Sequence, residues 1–383
     1  MNIIMPTFER IEWMPPTIYL IETLADMGHN VTYITVYPDS FFEGRRSDGR
    51  IRNVSLWKKD ISLQEKLPYV KGISGLLWRV DKLVKRLVCL RLKKTVDRLM
   101  TGDSLLWVVN EMTVMLGGTR FLKNRKYVFT VYELHEKKRK THCIEKAAKN
   151  AQTVVVPEYC RAHIMQSRYC LNKTPVVLPN KTELAQTEDP VPEKAAQAIS
   201  ILQKREQEGY KTVLYMGGIN EERPLEPVLQ AIGKSQRYRL VVMGRESAYL
   251  SKLQKEYPEQ FDYLGAFRPP VHIQVAEHAH IGLLMYVSIN QKQGLNALFC
   301  APNKLYEYTG KGLPVITNDI PGLRFPVELN KIGCVTDFSK PEAVLAALEK
   351  ICREYGACSK NAIAFFEGMD INKIIYEILE SVD

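Results

Sequence analysis

The residues of this 383-residue chain whose types and spacing could do chemistry are concentrated in the segment 301–322. Asn303 and Lys304 follow Pro302, whose fixed φ favours the first position of a helix. Free backbone N–H groups and the positive helix end can hold an anion there, and Glu307 lies about one turn further on. This pattern predicts a site for a nucleoside diphosphate, with Glu307 accepting hydrogen bonds from two ribose hydroxyls. The same residues also fit an ordinary helix–strand connection with solvated side chains.

Two series of alternating strands and helices must position this segment. The first opens with a strand at 2–5, a helix over 15–27 that Gly28 ends, and a strand at 31–36, which implies a parallel sheet. Its other strands are predicted at 105–109, 127–132, 153–156 and 175–178. The second series begins at Thr212, with strands predicted at 213–216, 240–243, 261–264, 281–285, 315–317 and 334–336, and helices at 224–233, 247–257, 270–279, 302–311 and 340–355.

The composition excludes several classes of protein. A chain that is 45% hydrophobic and 25% charged folds as a soluble protein, and no apolar run approaches the roughly 18 residues of a membrane span. The N-terminus opens as a strand and not as a signal peptide, and the eight cysteines form no CxxC pair, so we expect a reduced, cytoplasmic protein. The net charge of +10 favours anionic partners, but no nucleic-acid-binding motif is present.

A metal site is not expected either. No Asp-x-Asp motif occurs, and three histidines (His272, His278 and His280) fit a helix face or end without carboxylate neighbours. We therefore expect no metal ion, and no cofactor beyond a substrate.

The segment Pro-Asn-Lys-Leu-Tyr-Glu-Tyr followed by Gly-Leu-Pro-Val-Ile closely resembles the donor-nucleotide segment of bacterial GT-B-fold glycosyltransferases, in the family-four-like, retaining-type group. The resemblance is dense over 211–325 and thinner, but in the right order, over 1–180. It implies that Glu307 holds the ribose of a nucleotide sugar and that the start of the helix faces the diphosphate. A UDP-linked donor is expected.

The alternation and the resemblance together predict the α/β class with the GT-B architecture, two Rossmann-like doubly wound domains that face a central cleft. We expect an N-terminal acceptor domain at 1–180, a connector with a surface helix at 181–209, a C-terminal donor domain at 210–365, and a C-terminal helix at 366–383. The resemblance implies that this last helix packs back on the N-terminal domain.

Further donor contacts follow from the resemblance. Gly217 and Gly218 end a strand where paired glycines let the backbone approach a ligand. Gly218 stands where the family has an Arg, and Arg223 stands where it has a Lys. An Arg can hold phosphate bidentately, although a solvated Arg at a helix start fits the sequence as well. The vicinity of the base and the sugar is expected to include Gly244, Arg245, Ala266, Phe267, Gly294 and Asn296.

The stereochemical outcome is less clearly indicated. Many retaining relatives carry a sugar-contacting Glu eight residues before the ribose Glu, and Phe299 stands at that position here. The turn at 291–294 is an alternative contact for the hexose.

The first domain supplies the remaining candidates. His135 follows a strand that resembles the family's strand ending in His-Asp, and we expect it to be a catalytic residue that contacts sugar or phosphate, although a strand-end His is equally often structural. Phe8, Glu9 and Glu12 belong to a loop near the acceptor, where the family has a Gly-Gly turn. Glu9 and Glu12 are its only carboxylates, which leaves the base of an inverting reaction open.

Residues 71–100 predict a basic amphipathic helix, because apolar residues recur at helical spacing among the eight cations of residues 79–98. One interpretation buries the apolar face in the core. The other docks the helix on an anionic membrane surface, with up to about 1 kcal/mol for each cation, and places the protein peripherally on the inner face of the cell membrane.

The predicted function is transfer of a sugar from a nucleotide donor to a glycan or lipid-linked acceptor in bacterial surface polysaccharide biosynthesis, by a metal-independent hexosyltransferase. One alternative is a UDP-sugar epimerase of GT-B fold, which needs an acid–base set around the sugar. The sequence offers His135 but no evident carboxylate cluster for that role. The other alternative is a degenerate, non-catalytic GT-B subunit that stabilises a partner glycosyltransferase.

Overall fold

The computed structural model describes residues 1–58, 74–136, 138–182, 191–286 and 294–382. The chain divides into two compact units, Met1–Pro179 together with Ile371–Asp383, and Asn180–Asp370. Each unit is a parallel sheet with interleaved helices, so the predicted α/β class with two doubly wound sheets is confirmed.

The first unit contains a seven-stranded sheet of order β3-β2-β1-β4-β5-β6-β7. Its strands are β1 (Asn2–Pro6), β2 (Asn30–Thr35), β3 (Ile51–Ser55), β4 (Ser104–Val109), β5 (Tyr127–Thr130), β6 (Thr153–Val156) and β7 (Val176–Val177), and all pairs are parallel. The helices between its strands are α1 (Pro15–Asp26), α2 (Ser74–Leu99), α3 (Glu111–Gly117), α4 (Lys138–Asn150) and α5 (Tyr159–Tyr169). The central strands are apolar runs because helices cover both faces of a parallel sheet.

The second unit contains a six-stranded parallel sheet of order β10-β9-β8-β11-β12-β13. Its strands are β8 (Lys211–Met216), β9 (Tyr238–Met243), β10 (Phe261–Gly265), β11 (Ile281–Leu284), β12 (Val315–Asn318) and β13 (Gly333–Thr336). Its helices are α6 (Glu193–Gln207), α7 (Glu226–Gly233), α8 (Ala248–Glu256), α9 (Val271–Ala276), α10 (Leu295–Leu298), α11 (Asn303–Thr309), α12 (Pro321–Asn330), α13 (Pro341–Arg353) and α14 (Tyr355–Glu367).

The last helix is α15 (Ile371–Glu380), which belongs to the first unit. Just beyond it, the Ser381 hydroxyl forms a hydrogen bond with the Thr153 hydroxyl of β6, with 2.7 Å between the oxygens. None of the helices in the described ranges combines the length and the apolar character needed to span a bilayer.

Tyr308 fixes α11 on the second sheet. Its ring lies against Gly282 of β11, where a Cβ atom would be 2.4 Å from the ring carbons. Its hydroxyl donates to the Leu214 carbonyl at 3.0 Å and accepts from the Met216 amide at 3.2 Å, both in β8. Because Tyr308 is fully buried, these contacts hold α11 against β8 and β11.

The sequence prediction misses the strand β3 and the helices α10, α12 and α14. The edge strand β3 has a weakly apolar sequence, Ile-Arg-Asn-Val-Ser, and α12 contains Pro326, which reads as a helix breaker. Helix α14 buries only Cys358 and Ala362, so its apolar periodicity is faint.

The surface helix expected within the connector at 181–209 corresponds to α6, which packs Ala195, Ala198 and Leu202 into the second unit.

Candidate functional site

The candidate site lies where the strand order of the second sheet reverses, between β8 and β11. Parallel α/β sheets bind ligands beyond the carboxyl ends of the strands at such a point, because the loops diverge there. Gly217 follows β8 and Tyr286 follows β11 closely, and the Tyr286 amide donates to Asn318 Oδ1 of β12 at 2.8 Å. Residues from three adjacent strands therefore meet at one edge.

Helix α11 contains the residues that are predicted to bind phosphate and ribose, and it places them at this edge of the sheet. It begins at Asn303, and Pro302 is its N-cap with a φ of −77°, so the prediction that Pro302 is the first helical residue is off by one position. The proline still serves the helix, because it supplies no N–H that would need a partner.

Lys304 is the first cation of the site. Its side chain is half-buried and runs beside Gly217, and its Nζ donates to the Tyr286 hydroxyl at 3.4 Å. Burial lowers the pKa of Lys304, and the Arg223 charge adds to that effect, while the Glu307 carboxylate opposes it. A partly desolvated ammonium of this kind interacts more strongly with an anion than a solvated one does.

Arg223 is the second cation, and Tyr286 joins it to the first. The Arg223 guanidinium carbon lies 4.6 Å from the centroid of the Tyr286 ring, and Lys304 Nζ lies 5.9 Å from the same centroid. Two cations that repel each other are thus held at one aromatic ring, whose negative face attracts both. Arg223 is half-buried and contacts this ring, which argues against the solvated helix-start Arg that the sequence also allowed.

Glu307 is the carboxylate of the site, and only 7% of its surface is exposed. Its Oε1 lies 3.3 Å from His272 Nε2 in α9. Burial alone would raise the pKa of Glu307, but the His272 hydrogen bond and the charges of His272 and Lys304 outweigh it and hold the pKa below its ordinary range. Glu307 is therefore an ionised, buried acceptor, and the expectation that His272 has no carboxylate neighbour is wrong.

The glycine-rich turns after β8 and β9 pack against one another. The Gly217 amide donates to the Met243 carbonyl and the Gly244 amide donates to the Gly265 carbonyl, both at 2.9 Å. The hydroxyl of Tyr263 donates to the Gly244 carbonyl at 2.8 Å. These hydrogen bonds bring the turns after β8, β9 and β10 to the same edge of the sheet.

The other predicted donor residues occupy loops of the same unit. Gly218 accepts a hydrogen bond from the Tyr215 hydroxyl at 2.7 Å through its carbonyl. Arg245 and Ala266 are exposed, and Phe267 is half-buried beside Gly265. Gly294 and Asn296 lie at the start of α10, whose C-cap is Phe299, while most of the predicted hexose-contacting turn at 291–294 lies outside the described residues.

The first unit has its own carboxylate–imidazole pair at the carboxyl ends of its strands. His135 Nε2 lies 3.2 Å from Oε1 of Glu111, which is 1% exposed. Glu111 Oε2 accepts hydrogen bonds from the amides of Tyr132 at 3.0 Å and Glu133 at 3.4 Å. The sequence offered no evident carboxylate cluster for His135, and the structure places Glu111 beside it. Glu111 lies two residues beyond the strand predicted at 105–109, and that position is the signal that could have revealed it.

The predicted acceptor loop lies beside this pair. Burial raises the pKa of Glu9, and so do the nearby charges of Glu111 and Glu133, while a hydrogen bond with the Asn110 side chain opposes them. The Phe8 amide donates to Thr113 Oγ1 at 3.2 Å, and Glu12 is half-buried in a 3-10 turn at Ile11–Trp13. Within the described ranges, no group of three His, Cys, Asp or Glu residues is arranged to hold a metal ion.

Solved structures match this chain over its full length. Sucrose-phosphate synthase from Thermosynechococcus elongatus matches with a TM-score of 0.70 and 15% identity, over 99% of this chain and 98% of that chain. Anabaena HepE in complex with UDP matches with a TM-score of 0.69 and 12% identity, over 100% and 99%. A trehalose-6-phosphate protein from E. coli, bound with UDP-2-fluoro glucose, matches with a TM-score of 0.64 and 10% identity, over 100% and 99%.

No protein-family model and no curated protein matches the chain. The chain contains two doubly wound parallel sheets, and it matches these structures over its whole length. Its fold is therefore a two-domain α/β architecture. That architecture is GT-B, so the GT-B fold predicted from the motifs is confirmed.

Proposed function

We propose that the chain is a glycosyltransferase that takes its sugar from a nucleoside-diphosphate donor. One observation carries the proposal: Lys304, Arg223 and the ionised Glu307 lie together at the carboxyl ends of β8 and β11. Two cations match the charge of a diphosphate, and a buried carboxylate matches a ribose diol. Two structures of the same fold are described as bound to UDP or to UDP-2-fluoro glucose, which supports a uridine nucleotide.

The proposed chemistry rests on positioning and electrostatics. When the bond between sugar and phosphate breaks, negative charge grows on the departing diphosphate. Lys304 and Arg223 are fixed before the reaction, so they stabilise that charge without reorganisation. These two side chains supply the charge that a metal ion would otherwise provide, and we propose that the transfer is metal-independent.

The acceptor is proposed to bind the first unit. His135 is proposed as the catalytic residue there, with Glu111 holding its ring, and Phe8, Glu9 and Glu12 as acceptor contacts. A glycan or lipid-linked acceptor in bacterial surface polysaccharide biosynthesis is the substrate class that the motif resemblance implies.

We also propose that the protein is cytoplasmic and binds the surface of an anionic membrane, and helix α2 supports this proposal. Val88, Leu92 and Val96 are buried and define its core face. Among the described side chains of the helix, from residue 84 onward, Val84, Leu87 and Leu90 are apolar and exposed. Lys94 and Arg98 follow Leu90 at four-residue intervals, so cations share the exposed face with the apolar side chains. An anionic bilayer surface, which takes up apolar and cationic groups together, fits this face.

Calorimetry tests the donor site. We expect wild-type protein to bind UDP or another nucleoside diphosphate, and Glu307→Ala and Arg223→Ala each to reduce that affinity to the detection limit. A thermal-shift screen identifies the base, since a ligand at 100 times its dissociation constant adds about 2.7 kcal/mol of stability. Unchanged affinity in both variants would contradict the assigned site.

A UDP-sugar epimerase of the same fold is the second candidate, because Glu111 and His135 form a carboxylate–imidazole pair that such chemistry can use. Incubation of UDP-N-acetylglucosamine without an acceptor separates the two candidates. Formation of an epimer favours the epimerase, whereas transfer only in the presence of an acceptor favours the glycosyltransferase. Co-purification of a partner with a chain that binds no nucleotide would favour a non-catalytic subunit.

A further inference from the structure

The contact between His272 and Glu307 joins two helices that are far apart in sequence. His272 is the second residue of α9, which follows β10, and Glu307 lies in the middle of α11. Both residues are largely buried, with 15% of the His272 side chain and 9% of the Glu307 side chain exposed, and Nε2 lies 3.3 Å from Oε1. The contact therefore joins the connection between β10 and β11 to the connection between β11 and β12.

The two oxygens of Glu307 have different surroundings. Oε1 contacts His272, whereas Oε2 has no hydrogen-bond partner among the described residues. About 9% of the Glu307 side-chain surface is exposed, and Oε2 is the oxygen left to accept a further hydrogen bond. A carboxylate with one oxygen held by the protein and the other open presents a fixed acceptor to a ligand.

His272 has one polar contact in the described part of the chain. Its second ring nitrogen, Nδ1, is buried and has no hydrogen-bond partner. A buried polar atom without a partner is unfavourable, so packing alone gives no reason for an imidazole at this position. The hydrogen bond to Glu307 is what distinguishes His272 from an apolar residue of the same size.

We infer that His272 is a positioning residue that fixes the Glu307 carboxylate so that its open oxygen accepts a hydrogen bond from a ribose hydroxyl of the donor nucleotide. This inference rests on the proposed function, because it assumes that Glu307 contacts the ribose. It assigns His272 to recognition of ribose and not to contact with the phosphates.

Discrimination between ribose and deoxyribose tests the inference. Calorimetry at pH 8 measures the affinities of wild type and of His272→Leu for UDP and 2′-deoxy-UDP. GDP and ADP with their 2′-deoxy forms replace this pair if wild type prefers another base. We expect His272→Leu to lose about tenfold in affinity for the ribonucleotide, because the carboxylate is no longer held, and to change little with the deoxynucleotide.

Two further variants make the result specific. His272→Gln keeps an N–H donor for Glu307, and we expect it to restore most of the ribose preference. His278→Leu removes a histidine just beyond the end of α9 that has no contact with Glu307, and we expect it to retain the wild-type preference. Thermal unfolding without ligand verifies that each variant is folded. If His272→Leu is not folded, His272→Met, which also offers no N–H donor to Glu307, takes its place in the comparison with His272→Gln.

The outcomes separate the inference from the proposed function. If wild type binds nucleotide and Glu307→Gln loses the ribose preference while His272→Leu keeps it, the positioning role is wrong and the donor site stands. If wild type binds none of the nucleoside diphosphates, the proposed function is wrong and the inference is overturned with it. Loss of the preference in His272→Leu with recovery in His272→Gln supports both.

Discussion

Lys304 lies directly against the backbone of Gly217. A Cβ atom at Gly217 would be 2.6 Å from Lys304 Cε and 2.8 Å from Lys304 Nζ, and the φ of Gly217 is +127°, a conformation that favours glycine. Gly244 adds a second close approach, because its Cβ atom would be 2.1 Å from the Gly217 carbonyl oxygen. The position of the proposed phosphate-binding cation therefore depends on glycines in the turns after β8 and β9.

Gly217→Ala is expected to displace Lys304 and to weaken nucleoside-diphosphate binding at least about tenfold, the worth of one charge-assisted hydrogen bond. The strained backbone is also expected to cost about 1–3 kcal/mol of stability. Calorimetry with UDP and thermal unfolding measure the two effects.

Gly209→Ala is the matched control for this substitution. Gly209 has a φ of +87° with no atom within 4 Å of its would-be Cβ, so the variant carries backbone strain without a clash. It should lose stability but keep its affinity for UDP. Equal affinities in the two variants would show that Lys304 does not need the space above Gly217.

Lys304→Met is expected to stabilise the unliganded protein at neutral pH while it weakens nucleotide binding. Burial lowers the pKa of Lys304 below its ordinary value of 10.5, so the folded state disfavours the charged form. Between the lowered pKa and 10.5 the unfolded state binds more protons, and wild-type stability should rise with pH. The variant lacks this rise.

Thermal unfolding at pH 7 and pH 10 measures the difference between Lys304→Met and wild type. The variant should be the more stable protein at pH 7, and its advantage should shrink at pH 10. Lys255→Met, at an exposed position of α8, should show no such dependence. A variant that is less stable than wild type at pH 7 would show that Lys304 is not penalised in the fold.

Glu111→Gln is expected to loosen the loop that carries His135. Glu111 accepts two backbone hydrogen bonds and contacts His135, and an amide replaces one of these acceptors with a donor. We expect a loss of about 1–3 kcal/mol and faster amide hydrogen exchange in residues 131–136. Glu43→Gln, on the exposed surface of the same unit, should change neither, and unaltered exchange in Glu111→Gln would count against the role of this carboxylate.

Reversal of two cations on the exposed face of α2 is expected to weaken membrane binding. Lys94→Glu with Arg98→Glu should reduce affinity for phosphatidylglycerol-containing vesicles at least about 30-fold, since each cation contributes about 1 kcal/mol. Vesicle sedimentation measures the effect, which should diminish at high salt. Lys194→Glu with Lys255→Glu changes the net charge equally on the second unit, and an equal loss in that control would indicate net charge rather than the α2 surface.

Most of the strands were predictable because buried parallel strands are short apolar runs between turn residues. The runs at 105–109 and 240–243 are of this kind. The prediction missed β3, an edge strand with a weakly apolar sequence, and α12, a helix that contains an internal proline. At such positions tertiary packing outweighs local propensity.

The sequence by itself determined the α/β alternation, the glycines after β8 and the grouping of Asn303, Lys304 and Glu307 on one short helix, because helix spacing is a local property. Only the tertiary structure decided that His272 holds Glu307, that Tyr286 contacts both cations, and that Glu111 holds His135. Each of these contacts joins different strand ends. The parallel strands, with their Tyr308 and glycine contacts, must be assembled before such side chains come within hydrogen-bonding distance.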